Sequence, residues 1–188
     1  MNNLSKRKIL FFYVFMFFSF STMAVEEIHH MDKSTQQASD LTKRMTIADP
    51  AEKIILLEKL KILVTKKPDN IWVRKMYVNN LIAEKHYQQG LAGLEVIIKQ
   101  RFSRIDLLTE CMLKERLGHR DEACYQKVIQ LSEKDNLVDS DYITALFFTD
   151  SPKFETLKST LIKEKQFSES DFLVFTLGKE KMLHEFFP

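Results

Sequence analysis

The chain has 188 residues, of which 45% are hydrophobic, and it carries 28 Lys and Arg against 26 Asp and Glu. This length suits a single domain, and the near-balance of charge gives no reason to expect a nucleic-acid partner. Only four glycines occur. No Asn-Gly or Asp-Gly turn is present and β-branched alternation is scarce, which argues against a sheet. The composition therefore predicts an all-α protein.

The first 24 residues have the pattern of a secretory signal peptide. Basic residues Lys6–Lys8 precede an unbroken apolar run, Ile9–Phe18, and small residues stand at Thr22 and Ala24. We predict cleavage after Ala24 and export to the periplasm. The alternative is a membrane anchor, but crossing a bilayer takes roughly 20 apolar residues and this run is shorter. We expect no stable membrane insertion once the leader is removed.

Removal of the leader changes the charge but keeps both cysteines. The three leader charges are all basic, so 25 Lys and Arg remain against 26 Asp and Glu. An exported protein meets an oxidising compartment, where two cysteines are a candidate disulfide.

A polar, aperiodic stretch over 25–47 predicts a mobile N-terminal arm, with at most a weak helix near Leu41–Met45. His29 and His30 could form a metal pair, but no Cys or acidic pair with ligand spacing accompanies them. A solvated tail is the other interpretation, and we expect no metal.

Helix signals begin at Asp49, which is a good N-cap before Pro50, with Glu52 in capping-box spacing. Apolar residues at helical intervals predict that this helix ends near Lys67. Gly90 lies inside a later predicted helix, as does its neighbour Gly93, and this predicts close helix packing. The pattern then predicts a helical hairpin over 71–84 and 87–100, a second on either side of 117–123, a short helix ending by 150, and helices starting at 152, 168 and 179.

A period of 34 residues organises the stretch Ile71–Asn136 and the helix before it. Apolar residues recur at this interval in two sets, which are Leu60, Leu94 and Val128, and Leu63, Ile97 and Leu131. A fixed period of this size indicates stacked supersecondary units.

The region from Asp49 to Asn136 resembles the tetratricopeptide repeat (TPR). The residues of the middle unit that carry the resemblance are Tyr77 and Leu81 on its first helix, and Tyr87, Gly90, Leu94, Ile97 and Ile98 on its second. The resemblance implies a single domain over 48–188, built as a short right-handed stack of antiparallel helical hairpins (a TPR-like α-solenoid) with C-terminal capping helices.

The resemblance also implies a pairing of the cysteines. Cys111 falls in the middle of a first helix and Cys124 early in the second, two places that face each other in the family. A Cys111–Cys124 disulfide is therefore expected. The alternative is two buried thiols that pack as small hydrophobes.

In the family, the first helices line a concave binding face. The resemblance implies these partner-binding candidates: Trp72, Lys75, Asn79, Ile82, Asp106, Thr109, Leu113 and Arg116. Trp72 is the residue of most interest, because tryptophan is a frequent interface hot spot. The alternative is that Trp72 closes the seam between two hairpins.

The C-terminal third is a second candidate surface. Eight of the nine phenylalanines that follow the leader lie from Phe147 onward, and Phe186-Phe187 stands beside Pro188. These residues form either a cap over the open end of the stack or an exposed aromatic patch for a partner.

No sequence motif for catalysis, cofactor binding or metal binding is present. His86, His119 and His184 each neighbour charged residues, which predicts exposure. We therefore expect a non-enzymatic protein-binding module without a cofactor. It is either an immunity-type inhibitor of a toxin acting in the periplasm or an adaptor or chaperone of an envelope or secretion assembly. An enzyme with an unrecognised site is the third possibility, and the oligomeric state stays open.

Overall fold

The computed structural model describes residues 32–188, so the predicted signal peptide and residues 25–31 lie outside it. Within 32–188 the chain forms nine α-helices and one 3₁₀ helix, with no strand. The all-α prediction is thus confirmed for this part of the chain. The elements are α1 Lys33–Met45, α2 Pro50–Lys66, α3 Ile71–Ala83, α4 Tyr87–Gln100, α5 Arg104–Arg116, α6 Glu122–Lys134, α7 Ser140–Phe148, α8 Lys153–Lys163, the 3₁₀ helix Glu169–Leu177 and α9 Lys179–Phe186.

Short polar side chains start several of these helices. The Asp49 carboxylate accepts the backbone N–H of Glu52 at 2.8 Å, as its spacing predicted, and Pro50 is the first residue of α2. Such a cap satisfies a donor that the helix itself cannot pair. Ser168 and Asp171 form a capping box, and the segment that they open, where a helix starting at 168 was predicted, is a 3₁₀ helix.

The predicted mobile arm is wrong over Lys33–Met45, because α1 occupies that range. Ala38, Leu41 and Met45 share a buried cluster with side chains of α2 and α3. The Asn70 amide donates to Asp32 at 2.9 Å, and the Asn80 amide donates to Thr42 at 3.0 Å. The small Ala38 and these polar contacts dock the helix, although it contains few large apolar residues.

The six periodic positions lie on the second helices of successive hairpins, α2, α4 and α6. Five of the six are buried and Leu131 is partly buried. Consecutive helices pack together from α1 to α8, and α1 also contacts α3 as α5 contacts α7. The buried side chains form one large cluster over α5–α9 and smaller ones over α1–α3 and between α3 and α4.

Two glycines allow α4 to approach α3 closely, as their positions predicted. A Cβ placed on Gly93 would lie 2.5 Å from Val78 Cγ2, and one on Gly90 would lie 2.7 Å from Ile82 Cγ1. Both distances are shorter than non-bonded carbon atoms tolerate. The two helices therefore need glycine at these positions to keep their separation.

Cys111 of α5 and Cys124 of α6 form a disulfide, with their Cα atoms 5.6 Å apart. Both residues are buried. The predicted pairing is confirmed, and it joins the two helices of one hairpin covalently. None of the helices within 32–188 combines the length and the apolar character that crossing a membrane requires.

Candidate protein-binding surface

The first-helix residues predicted to line a binding face differ widely in their surroundings. Lys75 of α3 forms an ion pair with Asp106 of α5 at 2.7 Å, so each of these charges already has a partner within the protein. The Thr109 hydroxyl donates to the Ile105 carbonyl at 2.8 Å. Asn79 is exposed. Ile82 is half-buried and packs against the position of Gly90.

Leu113 is completely buried, so its side chain cannot contact a partner as predicted. It belongs to the large cluster beneath α5. Helical spacing placed Leu113 on the same side of α5 as Thr109, but α9 packs against α5 and covers this part of it. The prediction included a last helix starting at 179 but did not include its packing against α5.

The Arg116 side chain is hydrogen-bonded to the C-terminal segment. Its Nε donates to the Phe187 carbonyl at 3.0 Å, and its guanidinium carbon lies 5.3 Å from the centre of the Tyr87 ring. Tyr87 packs edge-to-face on Phe187, and its hydroxyl donates to the Pro188 carbonyl. Phe187 is buried, whereas Phe186 remains half-exposed. Of the two predicted aromatic contact residues, only Phe186 is therefore accessible.

Most of the remaining C-terminal phenylalanines pack against one another. Phe147 contacts the rings of Phe148, Phe154 and Phe175 at centroid distances of 5.0 to 5.8 Å, and Phe172 contacts Phe154 and others. Aromatic pairs at these distances and angles stabilise a core. This geometry agrees with the capping interpretation of the C-terminal third, and it leaves little aromatic surface there.

Trp72 belongs to a different surface, at the end of the molecule where α3 and α5 begin. Its side chain is 55% exposed, and the Arg101 guanidinium carbon lies 5.9 Å from its ring centre. Phe102 and Ile105, which follow Arg101 in the chain, are half-exposed, and Lys127 Nζ lies 5.8 Å from the Phe102 ring. We call Trp72, Arg101, Phe102, Ile105 and Lys127 the Trp72 patch. A side chain this exposed does not fill the seam between hairpins.

Sequence reasoning identified Trp72 but missed the other four members of the patch. Phe102 and Arg101 stand in the loop between α4 and α5. A large apolar residue at a turn was the available signal, since turns are usually polar. Nothing in the sequence indicated that Lys127 of α6 lies over the same loop.

Asp106 and the two carboxylates that face Arg104 are held by internal partners. Asp106 pairs with Lys75, and Arg104 pairs with Asp139 and lies 3.8 Å from Asp141. Burial alone would raise the pKa of Asp139, but hydrogen bonds from Arg104 and the Tyr142 backbone bring that pKa below its usual value. Burial, helped by the charge of Asp139, raises the pKa of Asp141. These acids are therefore engaged within the protein.

Among the residues that the structure describes, the cations of the Trp72 patch have no such partners. Within residues 32–188, no carboxylate lies within 4.0 Å of the side-chain nitrogens of Arg101 or Lys127. The same holds for Lys66, Lys67 and Lys99 on the adjoining helix ends. The patch thus combines exposed apolar side chains with unpaired positive charge.

A separate open cleft of about 440 Å³ lies beside α7 and α8. At its edge the Tyr142 hydroxyl donates to Glu133 at 3.0 Å, and Lys153 Nζ lies 2.7 Å from the same carboxylate. His86, His119 and His184 are exposed, as predicted. Over the described part of the chain, no three His, Cys, Asp or Glu side chains are grouped so as to hold a metal ion. The cleft is lined by Tyr142, Pro152, Lys153, Thr156, Leu157 and Thr160.

The chain matches no family model, no curated protein and no solved structure. These comparisons assign no family, and the helices of residues 32–188 define the fold class as all-α.

Proposed function

We propose that this protein is a non-catalytic protein-binding module of the periplasm, and that it binds its partner through the Trp72 patch. The observation that carries this proposal is the exposure of Trp72, Phe102 and Ile105 on one end of the molecule. Large exposed apolar patches on soluble proteins mark interaction sites. Tryptophan is also among the residues that contribute most to binding energy at interfaces.

We further propose that the helices form a short right-handed, TPR-like stack with capping helices at its C-terminal end. In support, α1, α3, α5 and α7 begin at intervals of 38, 33 and 36 residues. α1 contacts α3 and α5 contacts α7, while the Lys75–Asp106 ion pair bridges α3 and α5. Stacks of this kind present one helix of each hairpin to a partner. The Trp72 patch lies at the end of this proposed face.

A rigid surface favours an immunity-type inhibitor, which must hold one toxin tightly. The Cys111–Cys124 disulfide fixes α5 against α6, and the Lys75–Asp106 pair fixes α3 against α5. A surface held in place loses less conformational entropy on binding, and this raises affinity. The disulfide also suits an oxidising compartment, which supports the proposed export by the leader.

An adaptor or chaperone of an envelope or secretion assembly is the second candidate. Its support is the tandem arrangement of helical hairpins, since repeat scaffolds often gather several partners. The two functions differ in selectivity. An inhibitor has one tight partner, whereas an adaptor binds several proteins or peptides more weakly.

Co-expression with the product of the adjacent reading frame tests the proposal. The exported chain is purified from periplasm, and its complexes are resolved by size-exclusion chromatography and mass spectrometry. One stoichiometric complex with a neighbouring protein whose toxicity is neutralised supports the inhibitor. A complex with several envelope components supports the adaptor. Hydrolytic or transfer activity by the purified protein alone would contradict both.

A further inference from the structure

The part of the chain around the Trp72 patch is strongly cationic although the whole protein is not. The two segments 66–75 and 99–106 together contain seven Lys and Arg but only two Asp, at positions 69 and 106. Asp106 is paired with Lys75. Lys127 of α6 adds another positive charge over the Phe102 ring. Arg104 is paired with Asp139, so the other five cations of the two segments form no ion pair with a carboxylate within residues 32–188, and Asp69 is the second acid of these segments.

Both patch cations lie next to aromatic rings. Arg101 lies over Trp72 and Lys127 lies over Phe102, at 5.9 and 5.8 Å. A cation is attracted to the face of a ring but keeps most of its donors free. An arriving carboxylate can then accept charge-assisted hydrogen bonds, and from Arg101 it can accept two in parallel.

From this arrangement, and resting on the proposed function, we propose that the Trp72 patch binds an acidic segment of a partner protein that also carries an apolar anchor. The apolar anchor covers Trp72, Phe102 and Ile105, and the acidic side chains pair with Arg101 and Lys127. Each patch cation lies next to an aromatic ring, at 5.9 Å and 5.8 Å. A peptide that alternates apolar and acidic side chains offers an apolar group and a carboxylate at this spacing, whereas a bilayer holds its anionic groups in a layer apart from its apolar interior.

The single tryptophan of the protein makes the patch directly observable. The exported chain is titrated with a synthetic peptide of alternating Glu and Leu while Trp72 emission is recorded. We expect a saturable shift that weakens with added salt, because exposed ion pairs are screened. A peptide of alternating Lys and Leu, and vesicles of phosphatidylglycerol, serve as the comparison probes. An equal response to the Lys peptide, or a response to the vesicles alone, would overturn the proposal.

Charge reversal provides the matched test. Arg101→Glu and Lys127→Glu should each weaken binding of the Glu-Leu peptide by about tenfold or more, the effect of losing one charged hydrogen bond. Lys158→Glu is the control, because Lys158 Nζ also lies 5.8 Å from an aromatic ring, that of Phe172, away from the patch. Equal losses in all three variants would contradict the assignment.

This inference and the proposed function can fail separately. An isolated protein partner that binds Trp72→Ala more weakly but binds Arg101→Glu with unchanged affinity would support the binding surface and contradict the proposed acidic segment. A partner whose affinity is unchanged in both variants would contradict the proposed binding surface.

Discussion

The Lys75 ammonium lies 2.7 Å from the Asp106 carboxylate and joins α3 to α5 beside the Trp72 patch. The two side chains are 27% and 14% exposed. Water therefore screens this pair less than it screens a pair on the open surface. The pair links α3, which carries Trp72, to α5, which carries Ile105, and we expect it to support the proposed binding surface.

We expect Lys75→Ala to destabilise the protein by about 1–3 kcal/mol, because Asp106 would be left partly buried without its partner. The double variant with Asp106→Ala should lose less than the sum of the single variants, which a double-mutant cycle in urea measures. The exposed pair Lys61–Glu58, at 58% and 60% exposure, is the control and should show almost no coupling. Equal coupling energies for both pairs would contradict this account.

Loss of the disulfide should lower the free energy of unfolding by about 3 kcal/mol, since the bond closes a short loop and restricts the unfolded chain. Urea denaturation of the Cys111→Ala/Cys124→Ala variant, compared with the oxidised protein, measures this loss. Adding a reductant should destabilise the native protein and leave the variant unchanged. Free thiols in protein purified from periplasm without reductant would show that the bond does not form there.

Gly93→Ala should destabilise the protein by about 1–3 kcal/mol, although alanine is the better helix former. Its Cβ would meet Val78 Cγ2 at 2.5 Å, so α3 and α4 would have to separate. Combining it with Val78→Ala removes the clashing methyl groups and should produce a favourable coupling energy in thermal or urea denaturation. A stabilising Gly93→Ala single variant would show that the helices do not approach this closely.

The start of α1 should be sensitive to acid. Hydrogen bonds from the Thr35 side chain, the Thr35 and Ser34 backbone and the Asn70 amide lower the pKa of Asp32 to about 2, against some opposing desolvation. A lowered native pKa contributes stability above the ordinary value of 3.8 that is lost as the pH falls toward 2. Asn at this position keeps a capping oxygen but does not titrate.

The stability difference between the native protein and Asp32→Asn should therefore shrink between about pH 4 and pH 2. Urea denaturation at several pH values measures it, with the exposed Asp40→Asn as the control. A difference that stays constant over this range would show that the Asp32 carboxylate is not hydrogen-bonded as described. Amide hydrogen exchange within Lys33–Met45 reports on α1 in the same samples.

Helix positions were predictable where local chemistry decides them. Asp49 with Pro50 marked the start of α2, and the glycines of α4 indicated close packing before any neighbour was known. The cysteine pairing followed from a repeat-like register. These features depend on residues near each other in the chain or at a fixed period.

Features that depend on distant segments were not predictable. α1 contains few large apolar residues, and its docking depends on Asn70 and Asn80, which lie far along the chain. Leu113 and Arg116 lost their predicted accessibility because α9 returns to pack on α5. The Trp72 patch required Lys127 of α6 to reach over Phe102, a contact with no sequence signature.

The central claim is that a protein partner binds at the Trp72 patch. Calorimetric titration of the co-purified partner into the native protein and into Trp72→Ala tests this claim most directly. Leu173→Ala is the control, because Leu173 is also exposed but lies in the C-terminal third. We predict that Trp72→Ala weakens binding by about 30-fold or more, as expected for a hot spot of about 2 kcal/mol, with thermal stability retained. Unchanged affinity in Trp72→Ala would contradict the claim.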